Sequence, residues 1–293
     1  MSFKLNENEE VATSLAWLSI WPIARTAMQL VFRRKLFWLL FAIAMLSFIY
    51  TFGAIYFLAA LKQELPQMAG WITAMLKNFD GSEKTYLDFM KLQGAVMMIL
   101  LAFSGSVLAG NDHFRGGLMF YMSRRISLVY YALGKLLAIG FFVLLITTVP
   151  ALVLFLEYGL LGDFIEYFGE NFQIFFGILG YGILLSISIG LLLLALVSWI
   201  PRPVPLVILW GGIFVFLPIL SKNLAGTLSD SKDSSEKSLW LLFDLWNNLY
   251  IVGSNFFGVN LPLFNGAMIV IFTVCLFSIT AIFFRLRYLQ HQS

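Results

Sequence analysis

The chain of 293 residues has one cysteine, two histidines and only 12% charged side chains. Cys275 on its own can close no disulfide within the chain and supplies no cysteine metal set. His113 and His291 do not stand at ligand spacing and there is no HExxH run, which argues against a zinc site or a histidine-based triad. No GxxxxGK[ST] phosphate loop occurs, so ATP hydrolysis by that route is excluded. No glycine-rich dinucleotide fingerprint follows a strand-like run. The N-terminal residues carry Glu7, Glu9 and Glu10, with no apolar run before residue 11, so a cleavable signal is not expected. The charge pattern does not suggest a nucleic-acid partner.

What the chain has instead is apolar surface: 60% hydrophobic residues, 17% aromatics and a mean hydropathy of +0.87. Ordinary globular domains hold about 45–50% apolar and about 25% charged residues. The excess predicts an all-α integral membrane protein. Six runs approach the roughly 20 residues needed to cross the hydrocarbon: 36–61, 92–110, 133–155, 173–200, 204–220 and 263–284. Pro201-Arg202-Pro203 separates the fourth from the fifth as a helix-breaking hairpin. Gly211-Gly212 and Pro218 predict a kink or break in the fifth.

Charge sets the expected orientation. With the N-terminus in the cytoplasm, all nine arginines and three lysines fall inside, against four acidic residues. The outer side then holds seven lysines and 12 acidic residues. The excess of Lys and Arg in the inner loops favours this arrangement, with both termini cytoplasmic. Compact loops without a signal fit a multi-pass protein of a plasma (inner) membrane.

Residues 13–35 differ from the spans. Trp17, Trp21, Ile23, Ala27, Leu30 and Val31 share an apolar face at helical spacing, Arg25 and Gln29 lie elsewhere, and three cations close the segment. This predicts an interfacial helix on the cytoplasmic surface, in contact with membrane lipid. The outer loop 62–91 mixes charges with Trp71, Ile72, Met75 and Leu76, and predicts a short surface helix. Loop 157–171 is acidic. Loop 221–262 is the longest; its second half is apolar and aromatic, and reads as a short outer helix before the last span, re-entrant or surface-lying. The span cores lack Asp, Glu, Lys and Arg, which argues against a proton- or sodium-coupled carrier. Ser104, Ser106, Thr147, Thr148, Ser186 and Ser188 are candidates to line a path, or to hydrogen-bond between helices.

The segment 111–132 carries the most specific signal. From Asp112 it reads DHFRGGLMFYMSRRISLVYYALGK. It resembles the stretch between the second and third spans of the type-2 ABC transporter permeases. That family pattern runs acidic-x-x-x-Gly-Thr-Leu, then a leucine-rich turn, then Ser-Arg-Pro-Ile-Ser-Arg, and closes in Leu-Gly-Lys. Asp112, Gly116, Leu118, Ser123, Arg124, Ile126, Ser127, Leu133, Gly134 and Lys135 match in register. Gly117, Arg125 and Leu128 depart from it. The resemblance covers the layout of nearly the whole chain, residues 1–293 forming one transmembrane permease domain, and its specific motif about 25 residues.

The resemblance implies a coupling helix that docks on a separate ATP-binding-cassette ATPase, which would carry the ATP and Mg; this chain would hold no cofactor or metal of its own. Asp112, Arg115, Gly116, Leu118, Phe120, Tyr121, Ser123, Arg124 and Arg125 would face that ATPase. Gly134 and Lys135 would form the turn that restarts the third span, with Lys135 snorkelling to the interface. A second permease copy or a similar chain would complete the transporter. Export of a lipid-like or hydrophobic substrate is the first expectation. The alternative is ATP-driven motion passed to an extracytoplasmic protein docked on loops 157–171 and 221–262. An integral membrane lipid enzyme would need a polar cluster, for which Asp112 and His113 are the sole cytoplasmic pair, and a channel would need pore-lining charge or a carbonyl filter.

Overall fold

A computed structural model describes residues 19–64, 79, 81–110, 128–162, 164–200, 202–227 and 239–290. These residues are helical nearly throughout, with no strand among them. Six helices are long and apolar enough to cross a membrane. By length and composition, this is the architecture of a multi-pass membrane protein.

Helix α1, Ile20–Phe32, stands apart from the first span. It ends at Arg33–Arg34, and α2 begins at once as Lys35–Glu64. Aromatics fix the elbow. Phe32 and Phe37 meet edge to face at 4.9 Å, and both rings touch Phe142 at 5.3 and 5.5 Å. The Trp38 indole N–H donates to the Phe32 carbonyl at 2.9 Å. The face that α1 buries is Ile23, Ala24, Ala27, Met28 and Val31. Trp21 is 60% exposed and Leu30 only half-buried, so they do not share that face as the spacing suggested. The cause is the neighbour: α1 packs against the third span, where small residues allow close approach. Residues 13–18, Trp17 among them, lie outside the described residues.

The second span, α3, runs Glu83–Gly105 and continues as a π-helical turn, Ser106–Gly110. It therefore starts nine residues before the expected run. Glu83, Lys84, Asp88 and Lys91 belong to its first turns and not to a loop. The third span is made of α4, Leu128–Ile146, and α5, Thr148–Leu161. Pro150 lacks the N–H that would bond the Ile146 carbonyl, which accounts for the break at Thr147. Most described residues of 157–171 are also helical, through the end of α5 and then α6, Phe164–Glu170. The fourth span is α7, Phe172–Trp199.

The fifth span is interrupted as its glycines and proline predict. Helix α8, Pro203–Gly211, gives way to a π-helical turn, Gly212–Phe216, and then to α9, Leu217–Thr227. Pro218 cannot bond the Phe214 carbonyl, and the Leu217 N–H reaches back to Gly212. After a 3₁₀ turn at Leu241–Phe243 comes α10, Leu245–Phe256, and the last described helix is α11, Phe264–Gln290, the sixth span.

Helix α10 lies in the long connection before the last span. At 12 residues it is about 18 Å long, too short for the ~30 Å hydrocarbon core. Yet it is buried, through Leu245, Asn248, Leu249, Ile251, Val252, Gly253 and Ser254. It packs on α7 and α11 and reaches α3. By its length it is not a seventh span. Asp244 caps it by accepting from the Asn247 N–H at 3.0 Å, and the Asn248 amide donates to the Leu242 carbonyl at 2.6 Å. Those bonds let polar residues enter the bundle. Gly258, at φ +80°, turns the chain out again, a conformation a side chain would oppose.

Spans two, three and four form the dense centre; spans one, five and six are largely exposed. On a water-soluble protein such apolar surface would be a liability, and against lipid it is not. The alternating spans bring the described arginines Arg25, Arg33, Arg34, Arg202, Arg285 and Arg287 to one end. Contacts between α1 and α4, and between the ends of α7 and α11, fix this grouping. Glu83, Asp88, Glu157, Glu166, Glu170 and Asp244 gather towards the other end.

Candidate functional site

The segment singled out by sequence falls mostly outside the described residues. Asp112, Arg115, Gly116, Leu118, Phe120, Tyr121, Ser123, Arg124 and Arg125 all lie there, and His113 with them. Its two flanks are described, and they form a frame. One is the π-helical turn Ser106–Gly110 that ends the second span; the other is the start of α4.

Lys135 ties the two together. It is 3% exposed, and its Nζ donates to the Leu108 carbonyl at 2.8 Å, across the gap between spans. The Tyr131 ring, one turn earlier, lies 5.6 Å from the same ammonium. The Lys135 ammonium is therefore bonded to the neighbouring span, where carbonyls at a helix C-terminus carry partial negative charge. A hydrogen bond from a charged donor is worth about 1.5–3 kcal/mol. Gly134 and Lys135 lie in the second turn of α4, within a continuous helix and not in a turn ahead of it.

Gly134 has a second role in the frame. A Cβ placed there would come within 2.9 Å of Ile23 and 3.0 Å of the Ile20 carbonyl. The absent side chain is what lets α1 lie against the third span. At Gly105 a Cβ would meet Leu193 at 2.7 Å, so the second span leans on the fourth in the same way. Helix α1, the π-helical turn, α4 and the C-terminal half of α7 thus meet around the two ends of the 111–127 segment.

The hydroxyls proposed for a path are buried and mostly satisfied within the bundle. The Thr147 hydroxyl donates to the Val143 carbonyl at 2.7 Å, and that of Ser186 to Gly182 at 2.8 Å. The Cys275 thiol donates to Ser188 at 3.7 Å, linking spans four and six. Thr148 sits against Gly182. This is the pattern of helix–helix adhesion.

The end opposite the frame holds what the hydropathy pattern missed. The Tyr86 and Tyr167 hydroxyls share a 2.9 Å hydrogen bond, Tyr250 donates to Asp88 Oδ1 at 2.9 Å, and Lys91 stands 4.0 Å over the Tyr250 ring. Burial pushes the Tyr167 hydroxyl up to about 12, and burial together with its bond to Asp88 does the same for Tyr250. Glu157 is 7% exposed, and neither carboxylate oxygen has a hydrogen-bond partner among the described residues. So the span cores are not free of charge: Lys135 and Glu157 are both buried within the 33 residues of the third span. Expected boundaries at 133 and 155 had placed one at the rim and the other outside.

Among the described residues no group of three or more His, Cys, Asp or Glu could hold a metal ion. The chain matches no protein-family model, and no curated protein matches it in sequence.

Proposed function

We propose that this chain is the membrane-spanning permease subunit of an ATP-binding-cassette transporter, exporting a lipid-like or hydrophobic substrate under the drive of a separate ATPase subunit. The observation that carries the reading is the Gly116–Lys135 segment, which resembles the coupling region of type-2 permeases. Its setting supports the same reading. The segment hangs between two spans whose ends are bonded through Lys135 and Leu108, with α1 clamped on the second of them at Gly134. A push on the segment would reach both spans and α1 together, which is what a transmitting element requires.

In this reading the arginine-rich end faces the cytoplasm of a plasma (inner) membrane. Phe120 and Tyr121 insert into the groove of the ATPase, Arg124 and Arg125 pair with acidic groups there, and a second permease copy or similar chain completes the assembly. ATP and Mg belong to the ATPase. The test is a mild-detergent pull-down of the tagged chain from its native membrane, followed by an ATPase assay of the eluate. Co-purification of an ABC-type ATPase, lost in Phe120→Asp/Tyr121→Asp, is expected. A single-chain eluate without ATPase activity, from protein that melts cooperatively, would end the reading.

A further inference from the structure

A cavity of about 1100 Å³ opens between the last turns of α7 and α11, at the arginine-rich end. Its walls are apolar, with Leu192, Leu196 and Ile200 on one side and Phe277, Ala281 and Phe284 on the other. The hydroxyls that reach it are already engaged: Ser278 donates to Val274 and Thr280 to Leu276, both within α11. From Phe277 to Tyr288 the groove follows α11 over eleven residue-to-residue steps, about 16 Å at 1.5 Å each. That is close to one leaflet's share, about half, of a ~30 Å hydrocarbon core.

The mouth is built differently. Arg285 donates through Nε to the Ser198 carbonyl at 3.1 Å, with its guanidinium 5.6 Å from the Trp199 ring and 5.6 Å from the Tyr288 ring. Trp199 is itself held by its indole N–H on the Ala281 carbonyl at 3.3 Å. Arg287 lies 4.5 Å over Phe283. Neither arginine meets a carboxylate among the described residues, and their Nη groups have no protein acceptor there. Arg285 is thus positioned, charged and open on the side that faces the groove. Two guanidinium groups flanked by Trp and Tyr at the rim of an acyl-deep slot match a phosphate headgroup with its chain.

We propose that this groove binds one anionic phospholipid of the adjacent leaflet, an acyl chain between α7 and α11 and the phosphate on Arg285 and Arg287. The site rests on the membrane-spanning architecture alone and is independent of any ATPase partner.

The test uses the full chain, purified in detergent, exchanged into phosphatidylglycerol or phosphatidylcholine, and read by native mass spectrometry after graded delipidation. One phosphatidylglycerol per chain should outlast all phosphatidylcholine. Occupancy should fall at least about tenfold in Arg285→Gln/Arg287→Gln, and for either lipid in Ala281→Trp, which fills the slot. If the arginine variants fail to fold, brominated acyl chains give a second measurement on intact arginines. Quenching by brominated phosphatidylglycerol should exceed that by phosphatidylcholine, and Trp199→Phe should remove the excess. Equal retention of the two lipids, unchanged retention in the double glutamine variant, or a second copy of the chain cross-linked through the groove would each overturn the proposal.

Discussion

Gly253 sits in the interior of α10 with its Cα against Tyr181, and a Cβ there would overlap the ring, standing 2.9 Å even from Cγ. Tyr181 cannot retreat. It is fully buried, and Phe257 meets it edge to face at 6.4 Å. Gly253→Ala therefore sets two effects against each other. Helix propensity favours alanine by about 1 kcal/mol. Overpacking a rigid core costs about 1–3 kcal/mol and occasionally more. The overlap falls on ring carbons and not on a flexible tip, so the upper part of that range applies, and the net loss is about 2 kcal/mol. For a chain of this size that is a fall in melting temperature of about 4–8 °C. Gly53, in the first span with nothing within 4 Å, is the matched control, and Gly53→Ala should hold or raise stability. Cys275, the one cysteine in the chain and half-buried, reports unfolding through a thiol-reactive coumarin dye in detergent. Tyr181→Leu in the Gly253→Ala background should recover part of the loss, since it opens the space the methyl needs. If Gly253→Ala raises the melting temperature as Gly53→Ala does, α10 is not seated against α7 through Gly253 and Tyr181.

Lys135→Ala, removing the ammonium from Leu108, should cost about 1.5–3 kcal/mol, seen as a melting temperature lower by about 3–12 °C. Tyr86→Phe should cost about 1 kcal/mol by breaking the Tyr86–Tyr167 bond, and Tyr86→Phe/Tyr167→Phe should cost little more, because both act on one interaction. Tyr167 and Tyr250 are both raised to about 12 in the folded chain, so their stabilisation is complete below the ordinary tyrosine value near 10 and is lost as pH climbs towards 12. Ultraviolet tyrosinate titration should show these two ionising together with unfolding. An Arg34→Cys label in a Cys275→Ser background should react with an impermeant maleimide only from the cytoplasmic face.

Hydropathy located all six spans because length and apolar content are local properties, and the Gly211-Gly212/Pro218 interruption was legible because its cause is local too. Boundaries slipped where charge extends a helix past its apolar window. Glu83, Lys84, Asp88 and Lys91 dilute the hydropathy of α3 while leaving its backbone helical. Helix α10 was legible as a short helix but not as a buried one, since Asp244 and Asn248 look like surface residues until their backbone partners are known. Lys135 shows the same limit from the side of the site. Its partner is a carbonyl, which no residue letter marks, on a different span. Trp199 and Arg285 are 86 positions apart, and only the packing of α7 on α11 makes them neighbours.

The seating of α10 constrains the order in which the molecule can be assembled during synthesis. Helix α10 rests on α3 and α7, made before it, and on α11, made after it. While α11 is still in the ribosome, α10 has one wall missing and its apolar residues face an open cleft. The first five spans can insert one by one, but the end of the bundle that holds α10 closes only when the last helix arrives. A chain truncated before Phe264 should therefore insert normally and yet leave α10 uncovered on its α11 side, which makes it a natural substrate for membrane quality control.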